Sequence, residues 1–140
     1  MRLALLRSTV DTPFQIDFSW FEKQNISLDV LLREQLCDQC AREFGDTVPD
    51  ETLDYVDPNT GEVFRVDPIR EAILSHCQWR PDYIGNETPL AIAVFRALLA
   101  NNNRPMTPKE LYQRIRRGSP ETILQLLTRG GVKYGILPAR

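Results

Sequence analysis

The three cysteines and single histidine of the chain fall in two tight groups, Cys37-Asp38-Gln39-Cys40 and His76-Cys77. Two thiolates three residues apart on one helix face can grip one zinc ion. A second pair from another helix would complete a tetrahedral Cys3His shell of Cys37, Cys40, His76 and Cys77. A β-hairpin read between the groups is a compact way to bring two ligand pairs together, and a metal would help fix a core of modest size. Other readings fit the same residues. Cys37 and Cys40 lie near the apolar face of their helix, where reduced cysteine is a common small core residue. Redox or iron–sulfur chemistry is a third reading, although this CxxC follows no strand of a βαβ unit. His76 and Cys77 are neighbours, about 100° apart on a helix, so both can ligate only if the helix ends or bends there. An odd cysteine count without a secretory signal argues against a disulfide framework and for a cytoplasmic location.

The elements that must carry these residues are readable from periodicity. Phe14, Ile16, Phe18 and Trp20 alternate with polar residues, predicting a strand over 14–20, with residues 3–6 as an earlier partner strand or part of an irregular N-terminal arm. Ser27 caps a helix on which Leu28, Leu31, Leu32, Leu36, Cys40 and Phe44 recur, and Gly45 stops it. Residues 46–52, with Pro49, read as a loop. Strands at 53–56 and 63–66 flank a turn carrying Pro58 and Gly61. Asp67 then caps and Pro68 opens a helix running to about Cys77.

The C-terminal part reads as three helices and a closing strand. Thr88-Pro89 opens the first, apolar on most sides, and Asn101-Asn102-Asn103 ends it. Thr107-Pro108-Lys109-Glu110 is a capping box, and Ser119-Pro120-Glu121 starts the third helix. Gly130-Gly131 closes that helix, and residues 132–137 read as a strand.

Charge divides the chain at the same place. The formal net charge of −2 conceals 8 Lys/Arg against 16 Asp/Glu in residues 1–85, a net of −8, and 9 against 3 in residues 86–140, a net of +6. Either the two parts neutralise each other across a shared interface or the second carries a functional basic surface. The expected fold is α+β: a small acidic α+β part with a β-hairpin (1–85), then a basic three-helix module (86–140).

Ala97-Leu98-Leu99, Arg104-Pro105-Met106-Thr107-Pro108-Lys109-Glu110-Leu111-Tyr112 and Pro120-Glu121-Thr122-Ile123 carry a resemblance. The segment 88–137 resembles winged helices of the HARE-HTH type. This chain departs from them in a shortened tip between its second and third helices and in showing one strand after the third. The resemblance implies DNA binding or transcription regulation, with residues 120–129 as the recognition helix. In that docking mode Gln125 and Arg129 reach base edges, and Arg114, Arg116, Arg117 and Lys133 hold phosphates. The alternative is a module for protein interaction or self-association.

Catalysis finds little support. A histidine-based triad or a multi-histidine catalytic site would rest wholly on His76, and no phosphate loop, GxGxxG or HExxH occurs. With 42% apolar residues the chain is no disordered tail, and no apolar run approaches the ~20 residues of a membrane span. The expectation is a non-enzymatic cytoplasmic regulator or adaptor that binds DNA, with a structural zinc ion.

Overall fold

The structure, a computed structural model, describes residues 5, 7–47 and 50–139. Its elements are β1 (Phe14–Ile16), α1 (Ser19–Lys23), α2 (Leu28–Glu34), α3 (Asp38–Phe44), β2 (Leu53–Val56) and β3 (Val63–Val66). These are followed by α4 (Pro68–Ser75), a 3₁₀ turn (Cys77–Trp79), α5 (Leu90–Ala100), α6 (Pro108–Ile115), α7 (Pro120–Thr128) and β4 (Ile136–Pro138). This is an α+β fold with a β-hairpin, as the periodicities predict. Among the described residues no helix is long and apolar enough to cross a membrane.

The hairpin and the helix after it form where the sequence places them. Leu53 pairs with Val66 and Val56 with Val63, antiparallel. Gly61, at φ +74°, closes the turn. The Asp57 carboxylate accepts the backbone N–H groups of Asn59 and Thr60. Asp67 caps α4 by accepting the N–H of Arg70.

Three elements differ from expectation, one of them the closing strand, expected over 132–137 and found at Ile136–Pro138 because Tyr134 and Gly135 turn the chain at positive φ. The strand expected over 14–20 stops at Ile16, because Asp17 turns the chain. Its carboxylate accepts the N–H and hydroxyl of Ser19, and its carbonyl accepts the N–H of Trp20, which starts α1. The helix expected from Ser27 to Phe44 is two helices. Gln35 and Leu36 interrupt it, and Cys37, at ψ 161°, becomes the N-cap of α3. The apolar spacing continues across the break, so periodicity does not reveal it. The partner strand expected within residues 3–6 lies, apart from Leu5, outside the described residues. Val48 and Pro49 of the expected loop lie outside them too.

β1 is a middle strand. One edge pairs with β4, with Phe14 opposite Pro138 and Ile16 opposite Ile136. On the other edge Phe14 exchanges both backbone hydrogen bonds with Met106, each 2.8 Å. Asn103 extends that edge with a side chain: its amide accepts the N–H of Ile16 and donates to the carbonyl of Ile16. Asn102 and Asn103 both sit at positive φ, which asparagine tolerates better than most residues. Behind this sheet lie α5, α6 and α7. Thr107 and Glu110 form the capping box of α6, and Ser119 caps α7. Thr88 does not cap α5; its buried hydroxyl accepts the N–H of Gly85.

The apolar core runs through residue 85. Phe14, Leu32, Ile69 and Cys77 share one cluster with Phe95, Leu98, Leu111, Ile123 and Ile136. Each leucine, isoleucine and phenylalanine among them contributes ~1.5–3 kcal/mol when fully buried. Two ion pairs also cross from the acidic part to the basic one: Asp57 with Arg104 at 2.6 Å and Asp11 with Lys109 at 2.9 Å.

Candidate metal centre and basic surface

The helix break builds the candidate metal site. As N-cap of α3, Cys37 stands in extended backbone, with Cys40 one turn further on. On the other side α4 ends at Ser75. His76 caps it at φ −134°, ψ −61°, and Cys77 starts the 3₁₀ turn. The change of direction between His76 and Cys77 removes the 100° conflict of two helical neighbours. The Cys37 and Cys40 sulfurs and a ring nitrogen of His76 lie within 4.8 Å of one another, a group that could hold a metal ion. Cys77 stands beside this trio, fully buried, its sulfur accepting the backbone N–H of Cys37 at 3.3 Å. The two pairs proposed from sequence thus face each other. Three residues form the compact group, and Cys77 adjoins it from the core side.

The thiols are electrostatically unequal. Burial opposes ionisation of Cys37, but hydrogen bonds from the Cys40 backbone and from the Cys77 and Cys40 thiols, helped by the charge of Arg80, hold it below its ordinary value. Burial pushes Cys40 and Cys77 up, and in Cys40 hydrogen bonds from both other thiols add to the rise. Outside the cluster, Cys40 and His76 open onto a cleft of about 610 Å³ that Glu43, Glu51 and Glu71 also line.

A third element, which the sequence reading did not foresee, links a residue before Cys37 to one after Cys77. Arg96, in the middle of α5, donates from Nε to the Gln35 side chain (2.9 Å) and from a terminal nitrogen to the Tyr83 carbonyl (2.7 Å). Its guanidinium lies 4.8 Å from the centre of the Tyr83 ring. Gln35 is 2% exposed, and its amide donates back to the Leu31 carbonyl within α2. The sequence signal was a lone arginine inside Leu90–Ala100, an otherwise apolar helix.

The six residues expected to meet nucleic acid divide into two sets. Arg114, Arg116, Gln125 and Arg129 are exposed. Arg117 instead donates to the carbonyls of Asn86 and Thr88, tying the α6–α7 turn to the start of α5. Lys133 donates to the carbonyls of Leu126 and Arg129, at 2.9 and 2.6 Å, and so closes the C-terminal end of α7. Glu121 lies exposed in the first turn of α7. Comparison of the chain with family models, curated proteins and solved structures finds no match.

Proposed function

We propose that the chain is a non-enzymatic binding protein whose fold is stapled by one zinc ion and whose α6–α7 face engages duplex DNA in the manner of a winged helix. The observation that supports the metal is the trio of donor atoms within 4.8 Å, drawn from two separate elements. Thiolate and imidazole donors favour zinc over magnesium or calcium, and Cys77 is the fourth ligand that closes the shell. A closed shell is structural: it joins α3 to the end of α4.

The DNA reading is supported by what α7 leaves free. Gln125 on α7 and Arg129, the extended residue that ends it, are exposed, as are Arg114 and Arg116, which would serve as phosphate contacts. Protein prepared without chelators should carry about one zinc per chain by elemental analysis. Binding to duplex DNA should weaken steeply with salt, and the joint change of Arg114, Arg116 and Arg129 to Ala should weaken it on any sequence. Metal-free protein with an unchanged fold refutes the first claim. No retention on duplex DNA at low salt refutes the second.

A different observation favours a protein partner. Trp20, Ile26, Val30 and Tyr134 line an apolar groove of about 620 Å³, with Ile26 46% and Val30 54% exposed. Concentration-dependent sedimentation of the metal-loaded chain would support that reading in the form of self-association.

A further inference from the structure

We infer that Arg96 is a positioning residue of the metal centre, holding both ligand-bearing segments in register from the central helix. The inference rests on the zinc reading above and concerns a residue outside the trio. Six neighbours of Arg96 on α5 are buried: Ala93, Val94, Phe95, Ala97, Leu98 and Leu99. A guanidinium on so apolar a helix must find partners for its donors, and Arg96 finds them on both sides of the centre.

Gln35 lies two residues before Cys37, and Tyr83 lies six residues after Cys77. Arg96 reaches both, one through Nε and the other through a terminal nitrogen. The planar fork allows two hydrogen bonds in fixed, different directions while its face rests on the Tyr83 ring. Lysine at this position would supply charge without that geometry. Gln35 is itself anchored to the Leu31 carbonyl, so the position of Cys37 follows from the position of Gln35. The Tyr83 hydroxyl is buried with no hydrogen-bond partner among the described residues. Tyr83 therefore contributes its carbonyl and ring face to the arrangement.

Outer residues that orient ligands commonly change metal affinity 10–100-fold when replaced. The test is titration of the full-length metal-free chain with Co²⁺, read by its visible ligand-field bands and by competition with a chromophoric chelator. Arg96→Lys should weaken Co²⁺ by about 10–100-fold and shift the ligand-field bands. Tyr83→Phe should match wild type in both readouts. Gln35→Leu breaks the same link from the other side and should reproduce the Arg96→Lys spectrum, which keeps the test valid if Arg96→Lys fails to fold. Leu98→Ala, on the same helix, controls for general destabilisation and should leave the bands unmoved. A wild-type chain that forms no thiolate–Co²⁺ complex overturns the zinc reading itself. A wild-type complex whose affinity and bands survive in a folded Arg96→Lys or Gln35→Leu variant overturns the role of Arg96. Weakening equal to that of Leu98→Ala, with unmoved bands, also overturns it.

Discussion

Arg117 has the sequence credentials of a phosphate contact and the structural duties of a strut. Its guanidinium donates to the carbonyls of Asn86 and Thr88, 31 and 29 residues away. Arg117→Ala removes both bonds. Asn86 is exposed, so water replaces the arginine at its carbonyl, whereas the carbonyl of buried Thr88 is left without that partner. The second loss dominates, and a hydrogen bond to a charged group at such a site is worth about 2 kcal/mol. An unfolding entropy of ~2.1 cal/mol/K per residue gives a chain of this length about 0.3 kcal/mol/K, so Tm should fall by about 7 °C. Arg114→Ala removes an exposed side chain and should shift Tm by less than about 2 °C. Calorimetry of the two variants at matched metal content and ionic strength measures the difference. DNA retention is then compared at a temperature well below both transitions. If Arg117→Ala leaves Tm within about 2 °C of wild type yet weakens DNA binding as much as Arg114→Ala, its side chain belongs to the DNA face and the strut assignment is wrong.

Three other perturbations have definite signs. Arg116 ends α6 at φ +62°, so Arg116→Gly should stabilise the fold by about 0.5–1 kcal/mol in chemical denaturation, and any loss of stability would contradict the left-handed cap. At Gly135, φ +68°, an added Cβ would stand 2.9 Å from the Asp17 carbonyl and 3.0 Å from the Phe21 ring; Gly135→Ala should cost about 2 kcal/mol or more, seen as a lower midpoint in urea. Hydrogen bonds from the Asn59 backbone and from Arg104 hold the Asp57 carboxyl below its usual value. Its stabilising contribution is therefore complete above the unfolded carboxyl value near pH 4 and is lost as pH falls through the lower folded value. Asp57→Asn should lower stability at neutral pH and flatten the acid limb below about pH 4; parallel pH–stability curves for the two proteins would exclude the pair as a source.

The sequence reading succeeded where one residue type dictates a backbone state, though Thr88, read as a cap, bonds Gly85 instead. Pro58 and Gly61 located the hairpin turn, Asp67-Pro68 and Thr107-Pro108 located helix starts, and the asparagine run located the end of α5. It failed where tertiary partners chose between local options. The alternation from Phe14 to Trp20 is satisfied equally by a short strand followed by a helical turn, and Asp17 decides for the turn with its own carboxylate. The break at Gln35 depends on Leu31 and on Arg96, a residue 61 positions distant. The clustering of Cys37, Cys40, His76 and Cys77 was legible because four chemically rare residues sit in two short segments. The link from Arg96 to Gln35 and Tyr83 was not, because arginine is ordinary and its partners are remote. The basic surface was legible as composition, but composition does not tell a free guanidinium from one bonded to carbonyls. The charge split read as +6 and −8 is in part an internal pairing, as Asp57–Arg104 and Asp11–Lys109 show.

The placement of β1 between Met106 and β4 bears on how the chain is made. Synthesis delivers β1 first among the described elements and β4 last. Until Met106 emerges, Phe14 and Ile16 have no strand on either side; until β4 emerges, one edge stays open. The nascent chain thus carries an apolar strand with one or both edges open until residues 136–138 arrive, the condition under which strand edges recruit neighbouring chains. Closing so long a loop adds little to the equilibrium cost but slows folding. The vulnerable period of this protein therefore lies before residues 136–138 arrive, and a fragment that starts after residue 85 would lack the middle strand altogether.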